Sequence, residues 1–476
     1  MPEIPTEVTA FSSEAQRAQE CLRIDRRIQE LESGQEADHA AIVALKTRRN
    51  GLTILHRLPV EIMSLMFSMV YRCCMDDTQR AYLTLICKHW YNICIDCVNL
   101  WNHIDFSHPR SVEVVLARSK DAKITVLIPF WCQANWAYLK LLVPHNNRIR
   151  ELFIDQYSPD AAFFLRHLVS APDLEYCDIT LRELRLGQTP HYLLSRDFLG
   201  NAPRLHTLRL DRCFPHLEAP FFCNLTNFAL INQCWAAQFE LGALFAVLRA
   251  MPQLSDLQIS FLVSYEIHGN DLDELCPVPI PFPRLHVLHI AESPANILSL
   301  LRIFDYPPTT TLELLAPQDT IATQTQLDTV LSDLGALLSR RMGPFFALRL
   351  AGNGVDVQAW KEHETMPILS IRIDALIQVY PSTPDKILQL RQGLRALCAA
   401  LPLNQLVVLF LADLDLTLNQ GMVELFSGLR TLLSLCGAHY GEVPILDDEL
   451  EGIRLSDLVK FTALRTLAVM GVPVVL

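Results

Sequence analysis

The spacing of hydrophobic and polar residues changes twice along the chain and divides it into three stretches. In the first stretch, residues 1–52, the charged segment from residue 11 onward lacks proline and carries inward-facing positions at a 3,4 spacing. These positions are Cys21, Ile24, Ile28, Leu31, Gln35, Asp38, Ile42, Leu45 and Leu52. Because Gln35 and Asp38 are polar and Gly34 disfavours a helix, the pattern predicts two helical halves or a short coiled coil. A charged helix packed on the next domain is favoured over a dimerising zipper.

Residues 53–106 have the pattern of a small helical module. An apolar stripe at helical spacing follows Leu58 and Pro59, and proline is well accommodated where a helix begins. The stripe consists of Val60, Ile62, Leu65, Met66 and Met69. A second helix is predicted to carry Leu83, Ile86, Trp90, Ile93 and Cys97, and Leu100, Trp101 and Ile104 close the module.

Residues 107–476 repeat a six-residue pattern, apolar-x-x-apolar-x-apolar. Its copies begin at Ile149, Leu174, Leu205, Leu225, Leu254, Leu285, Phe345, Ile368, Leu406 and Leu464. Helix-like runs precede several copies, and Pro172, Pro203, Pro252 and Pro283 each stand two residues before one, so the unit is helix, proline break, short strand. Stacked units of this kind bury their strands in a parallel sheet. The predicted fold class is α + α/β: an N-terminal helix, a helical module and an irregular leucine-rich-repeat α/β solenoid.

The leucine content of the chain supports the predicted repeats, and its net charge disfavours two classes of partner. About one of the 476 residues in six is leucine, a bias typical of leucine-based repeats. The formal net charge of -12 disfavours nucleic acid and anionic membranes as partners. The chain contains no run of 18 apolar, uncharged residues and no signal-peptide pattern. We therefore expect a soluble protein of the cytoplasm or nucleus, with its 14 cysteines reduced.

The motifs of catalysis and metal binding are absent or incomplete. No glycine-rich phosphate loop is present, and the start of a metalloprotease motif at His363 and Glu364 fails because Pro367 stands where the second histidine is required. The best metal candidate is Cys94 with Cys97, but their spacing on a helix favours buried thiols. We expect no enzymatic activity, no cofactor and no metal site.

The residues of the second stretch resemble a known family. The segments Leu58-Pro59-x-Glu61-Ile62, Leu85-Ile86-Cys87-Lys88-x-Trp90 and Leu100-Trp101-x-x-Ile104 resemble the F-box. The whole chain is similar to F-box-like proteins of fungi, in which a charged helix precedes the box and leucine-rich repeats follow it.

The resemblance implies a function in protein ubiquitination. The box of such proteins binds the Skp-type adaptor of a cullin–RING (SCF-type) ligase, which is held on a cullin scaffold, and the repeats select the target protein. Carried over by position, the adaptor-binding residues are Leu58, Pro59, Ile62, Ile86 and Trp90, with Glu61 and Leu65 supporting them.

The alternate strand positions of the repeats are the candidate target-binding residues. They are Tyr176, Asp178, Thr207, Arg209, Asp211, Asp256, Gln258 and His289, whose mixed polarity suits a protein-binding face. Plain exposure to solvent explains the same polarity. The alternative functions are a repeat scaffold whose box no longer binds an adaptor, and a hydrolase or transferase, which requires convergent titratable groups in a pocket.

Overall fold

The computed structural model describes most of the chain and divides it into two compact units, Met1–Arg150 and Glu151–Leu476. The described residues are 14–33, 39–74, 77–132, 135–156, 159–181, 192–231, 241–260, 276–316, 324–351, 355–373, 384–412, 434–438, 466–469 and 472–475. The predicted combination of helices with a large, mostly parallel sheet is confirmed.

The first unit is mainly helical. Its helices are α1 (Glu14–Glu32), α2 (His39–Gly51), α3 (Val60–Cys74), α4 (Asp77–Leu85), α5 (Lys88–Asp96), α6 (Val112–Arg118) and α7 (Trp136–Leu139). Strands β1 (His103–Asp105) and β2 (Ile124–Ile128) pair in parallel. The module predicted for residues 53–106 is therefore not wholly helical, because the buried Ile104 lies in β1.

Helices α1 and α2 form an antiparallel hairpin with its own small core. Ile24, Ile28, Ile42 and Leu52 are buried against one another. Ion pairs connect the two helices, from Lys46 to Glu32 at 2.8 Å, from Arg48 to Glu20 at 3.0 Å and from Arg49 to Asp25 at 3.3 Å. Helices α1 and α2 agree with the predicted two helical halves. The polar positions Gln35 and Asp38 lie outside the described residues.

The second predicted helix of the module is divided in two. Helix α4 ends at Leu85 and α5 begins at Lys88, so Ile86 and Cys87 lie between them. Cys87 has an extended backbone, and its Sγ accepts the backbone N–H of Trp90 at 3.5 Å, which caps α5. The apolar spacing continues across this break, which is why the sequence pattern predicted a single helix.

The second unit is built on the large sheet. Its helices are α8 (Pro159–His167), α9 (Leu241–Arg249), α10 (Pro294–Ile303), α11 (Gln324–Met342) and α12 (Pro384–Ala400). Its strands are β3 (Ile149–Asp155, which begins at the unit boundary), β4 (Tyr176–Thr180), β5 (Tyr192–Leu193), β6 (Thr207–Asp211), β7 (Cys213–Phe214), β8 (Asn227–Ile231), β9 (Asp256–Ser260), β10 (Ile280–Pro281), β11 (Val287–Ala291), β12 (Phe304–Asp305), β13 (Thr311–Ala316), β14 (Ala347–Ala351), β15 (Val355–Trp360), β16 (Leu369–Ile373), β17 (Val408–Ala412), β18 (Ser434–Ala438), β19 (Thr466–Val469) and β20 (Val472–Val475). From β3 the strand order is β3-β4-β6-β8-β9-β11-β13-β16-β15-β14-β17-β18-β19-β20.

Each copy of the six-residue pattern takes the same place in the structure. The second and third apolar positions of all ten copies fall in strands β3, β4, β6, β8, β9, β11, β14, β16, β17 and β19. In seven of the copies, counted among the described residues, the first position closes a turn by donating its N–H to the carbonyl three residues earlier, as Leu174 does to Ala171 at 3.0 Å. These copies begin at Ile149, Leu174, Leu205, Leu225, Leu254, Leu285 and Leu406. Pro172 is the second residue of the turn that Leu174 closes, where its fixed φ is favoured. The prolines of the pattern therefore shape the turn that enters the strand.

Four strands of the large sheet from β3 onward carry no predicted copy of the pattern: β13, β15, β18 and β20. Strand β13 was not predicted because Thr309, three residues before Leu312, is polar, and because the residue that closes the turn before the strand is Thr310, only two residues before Leu312. Thr310 is buried, and its hydroxyl donates to the carbonyl of Leu285 at 2.8 Å. Strand β15 lies between β14 and β16 and is antiparallel to both, so the sheet is not parallel throughout.

A glycine allows two helices of the second unit to approach closely. A Cβ added at Gly335 in α11 would lie 2.7 Å from the Cβ of Ala400 and 2.8 Å from the carbonyl oxygen of Leu397, both in α12. Both contacts are shorter than carbon and oxygen atoms tolerate, and one of them is to backbone. The packing of α11 on α12 therefore depends on glycine at this position.

We expect Gly335→Leu to lower the free energy of unfolding by about 1–3 kcal/mol, because the side chain overfills the contact between the two helices. Denaturant unfolding measures the change. Gly51→Leu is the matched control, since a Cβ at Gly51 meets nothing within 4 Å. Equal midpoints for the two variants would contradict this packing.

Candidate functional site

Helix α3 carries apolar side chains on two sides, and the first unit buries only one of them. Met63, Phe67 and Tyr71 are buried and form the inner side. The outer side, here called the exposed α3 face, consists of Ile62, Leu65, Met66, Met69 and Val70, which are 44%, 57%, 40%, 58% and 45% exposed. Contiguous apolar surface of this kind marks binding sites in soluble proteins.

The α4–α5 junction presents further apolar side chains to solvent. Tyr82, Leu85 and Ile86 are exposed in or directly after α4. Helix α3 packs against both α4 and α5, so these residues belong to the same small module as the exposed α3 face. The module therefore contributes exposed apolar groups from more than one element.

The structure distributes the five predicted adaptor-binding residues between exposed and half-buried positions. Pro59, Ile62 and Ile86 are exposed, whereas Leu58 and Trp90 are half-buried. Pro59 lies one residue before α3, and its carbonyl accepts the N–H groups of Ile62 and Met63 at 3.0 and 3.1 Å.

The indole of Trp90 packs on the buried Phe67, with ring centroids 4.8 Å apart. Trp90 therefore combines core packing with partial exposure, so a change there affects both folding and any binding.

Leu65 and Met69 of the exposed α3 face were not among the predicted adaptor-binding residues. Leu65 was expected to support the binding residues but is itself exposed on the α3 face. Met69 was placed on the apolar stripe of the helix, and this stripe proves to face outward. A helix with apolar residues on two sides gives two stripes of similar quality, and spacing alone does not say which one is buried.

The module is held together by a tryptophan and two arginines. The indole Nε1 of buried Trp101 donates to the carbonyl of Cys94 at 2.7 Å. The guanidinium of Arg80 lies 5.0 Å from the Trp101 ring centroid and 5.6 Å from that of Tyr71. Arg118 of α6 lies over the same indole at 4.3 Å. These contacts hold the inner side of the module together. None of them covers the exposed apolar side chains on its outer side.

The cysteines of the module are packing and capping groups. Cys94 and Cys97 are buried, as expected, and burial raises the pKa of the Cys94 thiol to about 12, with smaller contributions from Cys97 and Cys87. Cys87 Sγ lies 3.4 Å from His56 Nε2, and burial, reinforced by His89, lowers the pKa of His56. Among the residues that the structure describes, no three ligand side chains come together as a metal site.

The second unit provides a polar surface on one side of its sheet. Side chains alternate along each strand, so that Cys177, Ile179, Leu208 and Leu210 are buried while the residues between them face the other way. All eight predicted target-binding residues lie on this polar side: Tyr176 and Asp178 in β4, Thr207, Arg209 and Asp211 in β6, Asp256 and Gln258 in β9, and His289 in β11.

Strand register aligns these side chains in rows across the sheet. One row runs Phe153, Asp178, Arg209, Ala229, Gln258, His289, Glu313. Within it, Arg209 lies 3.8 Å from a carboxylate oxygen of Asp178 and donates to Gln258 at 3.0 Å, across the short side chain of Ala229. Phe153, Asp155 and Glu151 of β3 extend the surface. Sequence reasoning did not name them, although the first copy of the repeat places them by the same alternation.

Asp178 is the most electrostatically perturbed carboxyl of this surface. Burial raises its pKa above the ordinary value, and the carboxylates of Asp155 and Asp211 raise it further. Arg209 and the hydroxyl of Tyr176 lower the pKa but do not reverse the shift. Burial is the main reason that the folded state disfavours the charged form of Asp178, and the two neighbouring carboxylates add to it.

No protein-family model matches this chain, and no curated protein matches it. Within the described ranges, no helix is both long enough and apolar enough to cross a membrane. The case for a function therefore depends on the two surfaces, the apolar one of the helical module and the polar one of the sheet.

We expect Trp101→Phe to lower the free energy of unfolding by about 1–3 kcal/mol, because it removes a buried hydrogen bond and part of the ring that contacts Arg80 and Arg118. The same substitution at Trp131, whose side chain is 65% exposed, should change stability by no more than about 0.5 kcal/mol. Thermal or denaturant unfolding measures both, and equal losses would argue against Trp101 as the centre of the module.

We expect Asp178→Asn to raise the melting temperature at neutral pH. The raised pKa means that the folded state disfavours the charged carboxylate, and this penalty is present above that pKa and disappears as the pH falls through it toward 3.8. The difference in melting temperature between the variant and the wild-type chain should therefore shrink as the pH falls through that pKa toward 3.8. Asp333→Asn, at an exposed carboxylate paired with Arg302, is the control and should change little. A lower melting temperature for Asp178→Asn at neutral pH would contradict an unfavourable charge at Asp178.

Proposed function

We propose that this protein is the substrate-recognition subunit of a cullin–RING ubiquitin ligase of the SCF type. In this proposal the helical module around α3 is an F-box that binds a Skp-type adaptor on its cullin scaffold. The repeat units of the second half form a leucine-rich-repeat solenoid that binds the target protein. No covalent chemistry is assigned to the chain, which acts by raising the concentration of target lysines near the transferred ubiquitin.

The exposed α3 face is the observation that carries the proposal. Ile62 and Ile86 belong to the segments that resemble the F-box, and both are exposed. Burying an apolar side chain of this size is worth about 1.5–3 kcal/mol. Several such groups on one small module are enough to drive association after the entropic cost of binding is met.

The interior of the module explains why this face is available. Phe67, Trp101 and the arginines beside it fix α3 through its inner side, so the outer side is not needed for folding. A rigid module with uncovered apolar groups loses little conformational entropy on binding. This is the arrangement expected of an adaptor-binding element.

The polar side of the sheet supports the second half of the proposal. Its strands bury their opposite side, and the side chains between the buried positions mix charge, amide and aromatic groups, as protein-binding surfaces do. The eight residues named as target-binding candidates share this side. Regular stacking of strand units without a catalytic motif favours binding over catalysis.

The test is co-purification of the full chain with a Skp-type adaptor. We expect Ile62→Asp with Ile86→Asp to lower adaptor affinity about 100-fold or more, because two apolar contacts are replaced by charges that resist burial. Both positions are exposed, so the melting temperature should stay close to that of the wild-type chain.

Val114→Asp is the matched control, since Val114 is an exposed apolar residue of α6 that is 47% exposed and outside the F-box-like segments. It should bind the adaptor as the wild-type chain does. Failure of the wild-type chain to bind any Skp-type adaptor would favour the alternative, a repeat scaffold whose box does not dock. Equal losses in both variants would also count against the proposal.

A further inference from the structure

We propose that the target is held through a segment rich in arginine and lysine that binds on what we call the acidic sheet face. This face comprises the polar-side residues of β3, β4, β6, β8 and β9: Glu151, Phe153, Asp155, Tyr176, Asp178, Thr180, Thr207, Arg209, Asp211, Asn227, Ala229, Asp256 and Gln258. The inference rests on the proposed function, in which this surface binds the target, and adds the chemistry of the segment that binds.

Charge is the first argument. The acidic sheet face carries five carboxylates and one guanidinium, that of Arg209. Arg209 interacts with Asp178 and Gln258 within the face, and Arg212, just beyond β6, lies 3.8 Å from Asp211. The surface stays acidic when both arginines are counted. A basic segment is attracted to it, whereas an acidic segment or a nucleic acid is repelled.

The placement of the carboxylates is the second argument. Asp155 and Asp211 flank Thr180 in one row of the register, and Asp178 lies in the adjacent row. Neighbouring strands are about 4.8 Å apart, so these three groups surround a small area of the sheet. Their mutual repulsion contributes to the raised pKa of Asp178, and a bound cation relieves that repulsion.

An aromatic pair beside the carboxylates is the third argument. The rings of Phe153 and Tyr176 lie 4.8 Å apart on the same face, and both side chains are only half-buried. Arginine and lysine bind over aromatic rings as well as beside carboxylates. Carboxylates next to accessible rings therefore favour a cationic side chain, which contacts both groups, over a simple metal ion, which would contact only the carboxylates.

The cost of Asp178 to the folded state points in the same direction. Burial and like charges disfavour its carboxylate, and the surrounding protein does not fully compensate. Residues that reduce stability where they stand are often those that serve binding. A guanidinium or ammonium group from a partner supplies the missing compensation.

The test is binding of a fluorescein-labelled peptide of alternating arginine and serine to the full-length chain, followed by fluorescence anisotropy at physiological ionic strength. A peptide with citrulline in place of every arginine keeps the shape and removes the charge. We expect the arginine peptide to bind at least about tenfold more tightly than the citrulline peptide.

Two triple variants distinguish binding at the acidic sheet face from general attraction of the basic peptide to a negatively charged protein. Asp155→Asn with Asp178→Asn and Asp211→Asn should weaken the arginine peptide about tenfold or more. The control, Asp333→Asn with Glu362→Gln and Glu364→Gln, removes the same charge from exposed positions outside the acidic sheet face. It should bind the peptide as the wild-type chain does. Thermal melting shows that each variant is folded.

The inference is overturned if the wild-type chain does not bind the arginine peptide, if citrulline binds equally well, or if both triple variants weaken binding alike. Its failure is distinguishable from failure of the proposed function. Ile62→Asp with Ile86→Asp should leave peptide binding intact, and the triple variant of the acidic sheet face should leave adaptor binding intact. A chain that binds the peptide but no adaptor retains this inference and loses the ligase proposal.

Discussion

The central constraint on this protein is that α3 has more apolar surface than its own module can bury. Met63, Phe67 and Tyr71 fill the inner side, and α5 together with Trp101 closes the core behind them. Nothing in the packing of the described module accounts for the apolar residues on the outer side. A helix that is apolar on two sides is normally buried on both, which is why we propose that a partner covers the exposed α3 face.

In the second unit, the apolar side chains of the repeat are buried and polar ones lie on the other side of the strands. Each strand unit buries only one side of its strand, with the leucine-type residues of the repeat, and a proline turn such as that at Pro172 sets where the strand begins. The other side is free to vary without loss of the core. Carboxylates, aromatic rings and amides occupy it, and Asp178 lies there despite the unfavourable surroundings of its charge. The buried core and the polar surface thus lie on opposite sides of the same strands.

Much of the fold could be predicted from the sequence because the six-residue pattern recurs ten times. All ten copies of the pattern have their second and third positions in strands, and helices precede several of them, as the helix-like runs predicted. The pattern failed at β13, where the turn-closing Thr310 is polar and stands two residues instead of three before Leu312. It also failed at β15, where the chain direction changes, since spacing does not encode direction. For the apolar site, spacing identified α3 but not its buried side, because Leu65 and Met63 belong to equally regular stripes. The break at Cys87 was missed because it depends on a thiol cap and not on composition.

Isothermal titration calorimetry of the full-length chain with a Skp-type adaptor, repeated at several temperatures, tests the central claim most directly. Burial of the exposed α3 face predicts binding with a clearly negative heat-capacity change, the thermodynamic mark of apolar burial. Absence of binding, or binding with a heat-capacity change near zero, would contradict the account.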